Sequence, residues 1–284
     1  MIMNNKKITI SKIKQFKSQS FSFSAVTAYD FHSARIADNV DIPLILVGDS
    51  AAMVMYGYDS TVPITVDEML LIVRAVSRAV KSSLIVADMP FLSYQTSTED
   101  TIRNAGKFIK HGGANAVKIE GGSEILERVV SLSSIGIPVV GHLGLTPQYI
   151  NSLSGYRVQG KSLDNAKKIY YDALELESAG AFALVLECIP LELAKIITDK
   201  LTIPTIGIGA GPFCDGQIQV YHDLLGIDAS FFPVHSKQYI NLNDKISVAL
   251  QSFKLDVESG VFPKKSNSVT LDSKIIDKLK KVIK

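Results

Sequence analysis

Residues 115–121 read NAVKIEG, a short apolar run carrying two opposite charges, Lys118 and Glu120, two positions apart. Side chains alternate along a strand with a period of two, so both charges point the same way. Similar endings recur along the chain. LILVGDS (44–50) closes on Asp49, SLIVADMP (83–90) on Asp88 and LVLECIP (184–190) on Glu187. Desolvating an unpaired carboxylate costs several kcal/mol. Four carboxylates at equivalent ends of four strands would repel one another unless a cation sat among them. A barrel with a hard-metal site at its mouth is the expectation.

Working outward, apolar runs alternate with longer helix-like stretches. The strand candidates are SAVTAYD (24–30), PLILVGD (43–49), SLIVADM (83–89), NAVKIEG (115–121), IPVVGHLG (137–144), FALVLECI (182–189), IPTIGIGA (203–210) and QIQVYHD (217–223). Most are continuously apolar, as strands covered on both faces are. Between them lie amphipathic segments such as VDEMLLIVRAVSRAVK, TEDTIRNAGKFIKHG, SEILERVVSLSSIG and NAKKIYYDALELESAG. Gly112, Gly136 and Gly180 close three of them as helix stops. Pro43, Pro138 and Pro204 sit just before or at strand starts, where a missing N–H does little harm. Eight strand–helix units predict an α/β fold, a (β/α)8 TIM barrel, rather than a doubly wound sheet. Ser11 is expected to cap a short N-terminal helix reaching about Ser18, with Ile13 and Phe16 on one face. With no linker-like segment, residues 1–284 read as a single barrel domain.

The C-terminal stretch SKIIDKLKKVIK reads as a helical extension with Ile275, Ile276, Leu279, Val282 and Ile283 on one stripe. Its lysines fit a solvated face, on a helix packed against the barrel or frayed. Hydrophobic residues make up 46% of the 284 and the formal net charge is +2, which supplies a large core and argues against a nucleic-acid surface. The two cysteines, Cys188 and Cys214, imply neither a CxxC site nor a disulfide framework. MIMNNKKITISKIKQFK lacks the apolar core of a signal peptide, and no run approaches a membrane span of roughly 18 apolar residues. A cytoplasmic protein with no membrane partner is expected.

In such a barrel the strand C-termini converge on the mouth. Asp49, Asp88, Lys118, Glu120, His142 and Glu187 stand at or near the ends of five successive strand candidates. Each has a plain reading: an Asp after a strand caps a helix, Lys118 and Glu120 neutralise each other, and His142 is a hydrogen-bonded loop residue. Together they point to a site. Carboxylate donors without a His pair or Cys cluster favour Mg²⁺ over Zn²⁺. GIGAG (207–211) suits either a phosphate cradle or close backbone packing. Cys188 reads as a small apolar residue rather than a nucleophile. A divalent metal among carboxylates with a lysine beside it suits a 2-oxo acid, whose adjacent C–H is acidified when the carbonyl is polarised. Glu187 would be the general base. Aldol addition, C–C cleavage and one-carbon transfer all begin this way.

The ordered set TAYD (27–30), LVGDS (46–50), GYDSTVPITVDEM (57–69), ADMPF (87–91), VKIEGG (117–122), GHLGLTPQ (141–148), GYRVQG (155–160), LVLECIP (184–190), IPTIGIGAG (203–211) and DGQIQVYHDLLG (215–226) resembles the ketopantoate hydroxymethyltransferase family. It covers roughly residues 10–263, and the lysine-rich tail 264–284 lies outside it. The resemblance implies a Mg²⁺-binding (β/α)8 barrel assembled as a homodecamer of two pentameric rings. It implies transfer of a hydroxymethyl group from 5,10-methylenetetrahydrofolate to 3-methyl-2-oxobutanoate, through a Mg-stabilised enolate. The products would be 2-dehydropantoate and tetrahydrofolate, in pantothenate and coenzyme A biosynthesis. Position by position, it implies that Asp49 and Asp88 hold the metal with Glu120 in its shell. Asp49, Ser50, Asp88 and Lys118 would contact the keto acid, His142 would line the pocket, and Glu187 would accept the proton. The residues that contact the folate are not assigned.

PVHSKQY (233–239) departs from the family pattern, with Val234 where a lysine is usual and Lys237 retained. The metal and base positions are untouched by that change. Two other readings fit a barrel of this kind. A Mg²⁺-dependent C–C lyase or mutase of the isocitrate lyase or phosphoenolpyruvate mutase type would also place acidic ligands at the mouth. A non-catalytic metabolite-binding barrel would be expected to have lost several of these charges, and all are present.

Overall fold

The computed structural model describes residues 7–153, 155–228 and 233–283. Met1–Lys6, the start of the stretch read above for a leader, lie outside the described residues. Eight strands close a parallel barrel in sequence order: β1 Phe23–Thr27, β2 Leu44–Val47, β3 Leu84–Asp88, β4 Ala116–Glu120, β5 Val139–Gly144, β6 Ala183–Glu187, β7 Thr205–Ile208 and β8 Gly216–Gln219. Ala25 of β1 registers with Leu44 of β2 on one side and Ile218 of β8 on the other, which completes the ring.

Along the chain the α-helices are α1 Ile10–Ser18, α2 Phe31–Asn39, α3 Ala51–Val54, α4 Val66–Ala79, α5 Thr98–Lys107 and α6 Leu126–Ser134. They continue as α7 Ile150–Leu153, α8 Leu163–Ser178, α9 Leu191–Lys200, α10 Tyr221–Leu225, α11 Leu242–Glu258 and α12 Ser273–Val282. The strands carry two cores because each buries both faces. Ile45, Val47, Ile85, Val117, Ile119, Leu184 and Leu186 face the helices, while Leu44, Leu46, Leu84, Val86, Ala116, Val140 and Val185 fall in a separate inner cluster. The inner parity is the informative one. Followed toward the strand ends, it arrives at Asp88 on β3, Lys118 and Glu120 on β4, His142 on β5 and Glu187 on β6.

The N-terminal helix closes the other end of the barrel. Ile8, Ile13 and Phe16 join the inner cluster with Phe23, Leu44 and Leu84, the first residues of their strands. Burying a side chain of this size contributes about 1.5–3 kcal/mol. Thr9, not Ser11, caps α1, its hydroxyl accepting the Lys12 amide at 3.2 Å. Ile8 and Ile13 flank that cap as a buried apolar pair, which fixes where the helix begins.

Three other expectations need correction. α5 runs on into a π turn, Phe108–Gly112, and Gly113 with φ +82°, not Gly112, supplies the left-handed stop. Gly112 is needed for another reason: a Cβ there would lie 2.8 Å from Val73 Cγ1 on α4. Gly136 and Gly180 do adopt positive φ as expected. Of QIQVYHD only the first residues extend β8; Tyr221, His222 and Asp223 begin α10. The seventh strand–helix unit has no helix. Residues 209–215 lead from β7 to β8, beside an open groove of about 680 Å³ lined in part by Phe23, Gly211, Cys214 and Asp215.

The tail forms a helix, but it does not pack on the barrel. α11 and α12 bury no residue, and Ile246, Leu250, Phe253, Ile275 and Leu279 are exposed. Among the described residues, no helix is long and apolar enough to cross a membrane.

Candidate active site

β3 and β4 pair with Asp88 opposite Lys118, and β4 and β5 pair with Glu120 opposite His142. The register stacks four ionisable groups on two successive inward-facing rungs of the barrel interior. Lys118 Nζ donates to both oxygens of Asp88, at 2.7 and 2.9 Å, and lies 3.3 Å from Glu120 Oε1. Asp49 sits just past β2, and its amide donates to Asp88 Oδ2 at 3.4 Å. All of these side chains are buried.

Burial and charge set the protonation states. Burial raises the Asp88 carboxyl well above its ordinary range, opposed by Lys118, and raises Glu120 in the same way. Burial also penalises the Lys118 ammonium, but Asp88, Glu120 and Asp49 outweigh it and hold the proton more tightly than usual. His142 is pushed down to about 4 by burial and by Lys118, so it is neutral near pH 7. Its Nε2 lies 2.8 Å from the Leu145 carbonyl, an acceptor only, so Nε2 carries the hydrogen. The bare Nδ1 is buried without a hydrogen-bond partner, 3.5 Å from Glu120 Oε1.

Glu187 ends β6 on the same interior parity, with Oε2 3.3 Å from His142 Nε2. Its side chain is 15% exposed, so it reaches solvent at the mouth where Asp88 does not. Burial pushes its carboxyl up to about 7, against the pull of Lys118 and His235. The end of β5 is shaped to receive it. Gly144 has φ +96°, and a Cβ there would lie 2.2 Å from the Glu187 carbonyl oxygen. That oxygen accepts the Leu145 amide at 2.8 Å.

Ser50 follows Asp49 and opens α3, where its Oγ lies 2.8 Å from the hydroxyl of fully buried Tyr29. A Cβ on Gly48 would come within 2.7 Å of that Oγ, so glycine keeps the space open. The structure thus gathers Asp49, Asp88, Lys118, Glu120, His142 and Glu187, with Ser50 beside Asp49. Single-residue reasoning passed over Tyr29, Tyr94 and Gln148. Tyr29 and Gln148 stood in the quoted TAYD and GHLGLTPQ motifs, as polar groups just past a strand end. Tyr94, which accepts the Glu120 amide at 3.0 Å, gave no such sign.

The donor set suits a hard divalent cation. One ammonium among Asp49, Asp88 and Glu120 leaves excess negative charge if all three ionise, and that repulsion adds to burial in raising Asp88 and Glu120. Among the described residues no three His, Cys, Asp or Glu side chains form a complete metal cage. Mg²⁺ needs none, since it is held by one or two carboxylates and fills its shell with water and substrate oxygens. GIGAG shows close packing: a Cβ on Gly211 would lie 2.5 Å from Leu191 Cβ, and one on Gly209 3.1 Å from Cys188 Sγ. Cys188 is half-buried with φ +47°, and burial raises its thiol to about 12, so it is no thiolate nucleophile. Val234 is fully exposed.

The family model for ketopantoate hydroxymethyltransferase matches residues 7–265. The 3-methyl-2-oxobutanoate hydroxymethyltransferase of Acetivibrio thermocellus is 50% identical over 278 residues, 98% of each chain. That of Dehalococcoides mccartyi is 50% identical over 275 residues, 97% of this chain and 99% of its own. Among solved structures, a phosphonopyruvate hydrolase complexed with oxalate and Mg²⁺ superposes with a TM-score of 0.59 at 12% identity. That superposition covers 95% of this chain and 94% of the other. At that identity the likeness concerns the barrel alone.

Proposed function

This chain belongs to the ketopantoate hydroxymethyltransferase family, and from that membership we propose a full assignment of the mouth. The reaction is hydroxymethyl transfer from 5,10-methylenetetrahydrofolate to 3-methyl-2-oxobutanoate, yielding 2-dehydropantoate and tetrahydrofolate for pantothenate synthesis. The observation that carries it is Glu187 on β6, a mouth carboxyl raised to about 7, two strands from Lys118 of the buried Lys118–Asp88 pair.

Asp49 and Asp88 would hold Mg²⁺, with Glu120 in the surrounding shell. When bound, the metal supplies Lewis-acid polarisation of the keto acid. Lys118 contributes fixed positive charge for the substrate carboxylate, and its contacts with Asp88 and Glu120 keep it in place. Ser50 offers a hydroxyl whose direction is set by Tyr29. Glu187 takes the C3 proton, and a proton affinity near neutrality lets it both accept and return one. The neutral His142 lines the pocket, its Nε2–H held by the Leu145 carbonyl and its ring edge 3.3 Å from Glu187.

A homodecamer of two pentameric rings is the assembly we assign. The exposed apolar residues of α11, including Ile246, Leu250, Phe253 and Val257, support burial against another copy. A monomer in analytical ultracentrifugation would overturn it. We place the chain in the cytoplasm, where the free Cys188 and Cys214 stay reduced.

The deciding assay incubates the protein with 3-methyl-2-oxobutanoate, methylenetetrahydrofolate and Mg²⁺, and follows 2-dehydropantoate by mass spectrometry with an EDTA control. Product that vanishes with EDTA is expected. Failure of a folded, metal-supplied protein to form it would overturn the assignment.

A further inference from the structure

We propose that Gln148 is the positioning residue that aims the Asp49 carboxylate for metal binding, an inference resting on the assignment of Asp49 as a metal-holding group. Gln148 lies in the 3-10 turn Pro147–Tyr149 just after β5, and is 2% exposed. Its Nε2 donates to Asp49 Oδ2 and to the Met89 carbonyl, each at 2.9 Å. Its Oε1 accepts from the Tyr94 hydroxyl at 2.7 Å and from Gln95 Nε2 at 3.2 Å.

The orientation of the amide is not free. The Met89 carbonyl can only accept, so the nitrogen must face it, and the oxygen then faces the Tyr94 and Gln95 donors. Both N–H groups and both lone pairs are used. A flipped amide would set oxygen against the Met89 carbonyl and the Asp49 carboxylate while its nitrogen met the Gln95 donors. The geometry therefore holds Asp49 by one chosen oxygen, Oδ2. The backbone amide of Gln148 donates to Glu120 Oε2 at 3.1 Å. One residue thus touches two carboxylates assigned to the metal, one through its side chain and the other through its main chain. A side-chain substitution separates the two contacts, because the bond to Glu120 survives it.

Groups that orient a metal ligand cost 10- to 100-fold in affinity when removed. The test measures Mn²⁺ binding by electron paramagnetic resonance on full-length protein without either organic substrate, alongside thermal unfolding. Gln148→Met keeps the volume and loses the polar contacts, and is expected to weaken Mn²⁺ by about 10-fold or more. On an Asp49→Asn background the same change is expected to add nothing. Tyr94→Phe, which removes the hydroxyl bonded to Oε1, is expected to weaken Mn²⁺ in the same direction and serves if Gln148→Met does not fold. A variant that lowers the unfolding temperature but binds Mn²⁺ like the parent overturns the role of Gln148 and makes it a structural residue. Unchanged Mn²⁺ binding in Asp49→Asn overturns the assignment of Asp49 itself, a separate and distinguishable failure.

Discussion

His142 Nε2 and Glu187 Oε2 lie 3.3 Å apart across β5 and β6, and the same nitrogen is 2.8 Å from the Leu145 carbonyl. The Leu145 carbonyl takes the ring's one N–H, so the neutral imidazole packs beside the carboxylate assigned as base without neutralising it. Exchange of the C3 hydrogen of 3-methyl-2-oxobutanoate with deuterated solvent should therefore rise with pH through about 7, as Glu187 ionises. Glu187→Gln should slow it by about 10²-fold or more while the keto acid still binds. Exchange at the parental rate in that variant would remove Glu187 from the role.

Stability should carry the same signature with a definite sign. Glu187 titrates at about 7 in the fold against an ordinary 4.5, so the folded state binds more protons between those values. Its contribution is unfavourable once ionised, and grows as pH rises through that window. His142, at about 4 against 6.5, does the reverse, losing stability as pH falls from 6.5 toward 4. The two offset in the parent. Glu187→Gln should be more stable than the parent at pH 8 by on the order of 3 kcal/mol. The gap should close by pH 4.5, as read by urea unfolding at several pH values. A gap independent of pH would refute the account.

Lys118 is the buried cation of the cluster. Lys118→Met should cost about 3–5 kcal/mol at pH 7, because it strands buried carboxylates. The deficit should shrink at pH 5, since Asp88 and Glu120 already bind protons more readily than ordinary carboxyls. Added Mg²⁺ should recover part of it at pH 7. Equal deficits at both pH values, measured by chemical denaturation, would show that charge is not the cause.

Tyr29 should act through Ser50. Losing the 2.8 Å hydroxyl contact in Tyr29→Phe is expected to raise KM for the keto acid about 5-fold, an effect of about 1 kcal/mol. Turnover should change little, and Ser50→Ala combined with Tyr29→Phe should be no worse than Ser50→Ala alone. Additive effects in steady-state kinetics would mean that the two residues work separately.

The charged strand ends were legible as a set, because each has a plain reading alone but several at equivalent strand ends do not, and a period of two sends Lys118 and Glu120 the same way. Gln148 was harder to see. An amide carries no charge, and its importance lies in contacts to Asp49 and Tyr94 from distant parts of the chain. The missing helix between β7 and β8 was readable, since only GPFCDG (211–216) separates IPTIGIGA from QIQVYHD, too short a stretch for a crossover helix. The cap of α1 was legible in principle, since Ile8 and Ile13 bracket Thr9 at the spacing of an apolar staple. The exposure of α11 was not, because an apolar stripe reads the same in sequence whether or not the barrel covers it.

Ile13 and Phe16 plug one end, the inner side chains fill the middle, and the charged groups stand at the other end, so the barrel is a plinth with the chemistry on its top face. Two substrates that react on that face must approach it from the same side. Whatever rests against Lys118 and Asp88 has to be seated before its partner covers it, so the kinetics should be sequential and ordered. The last molecule to arrive would be the first to leave.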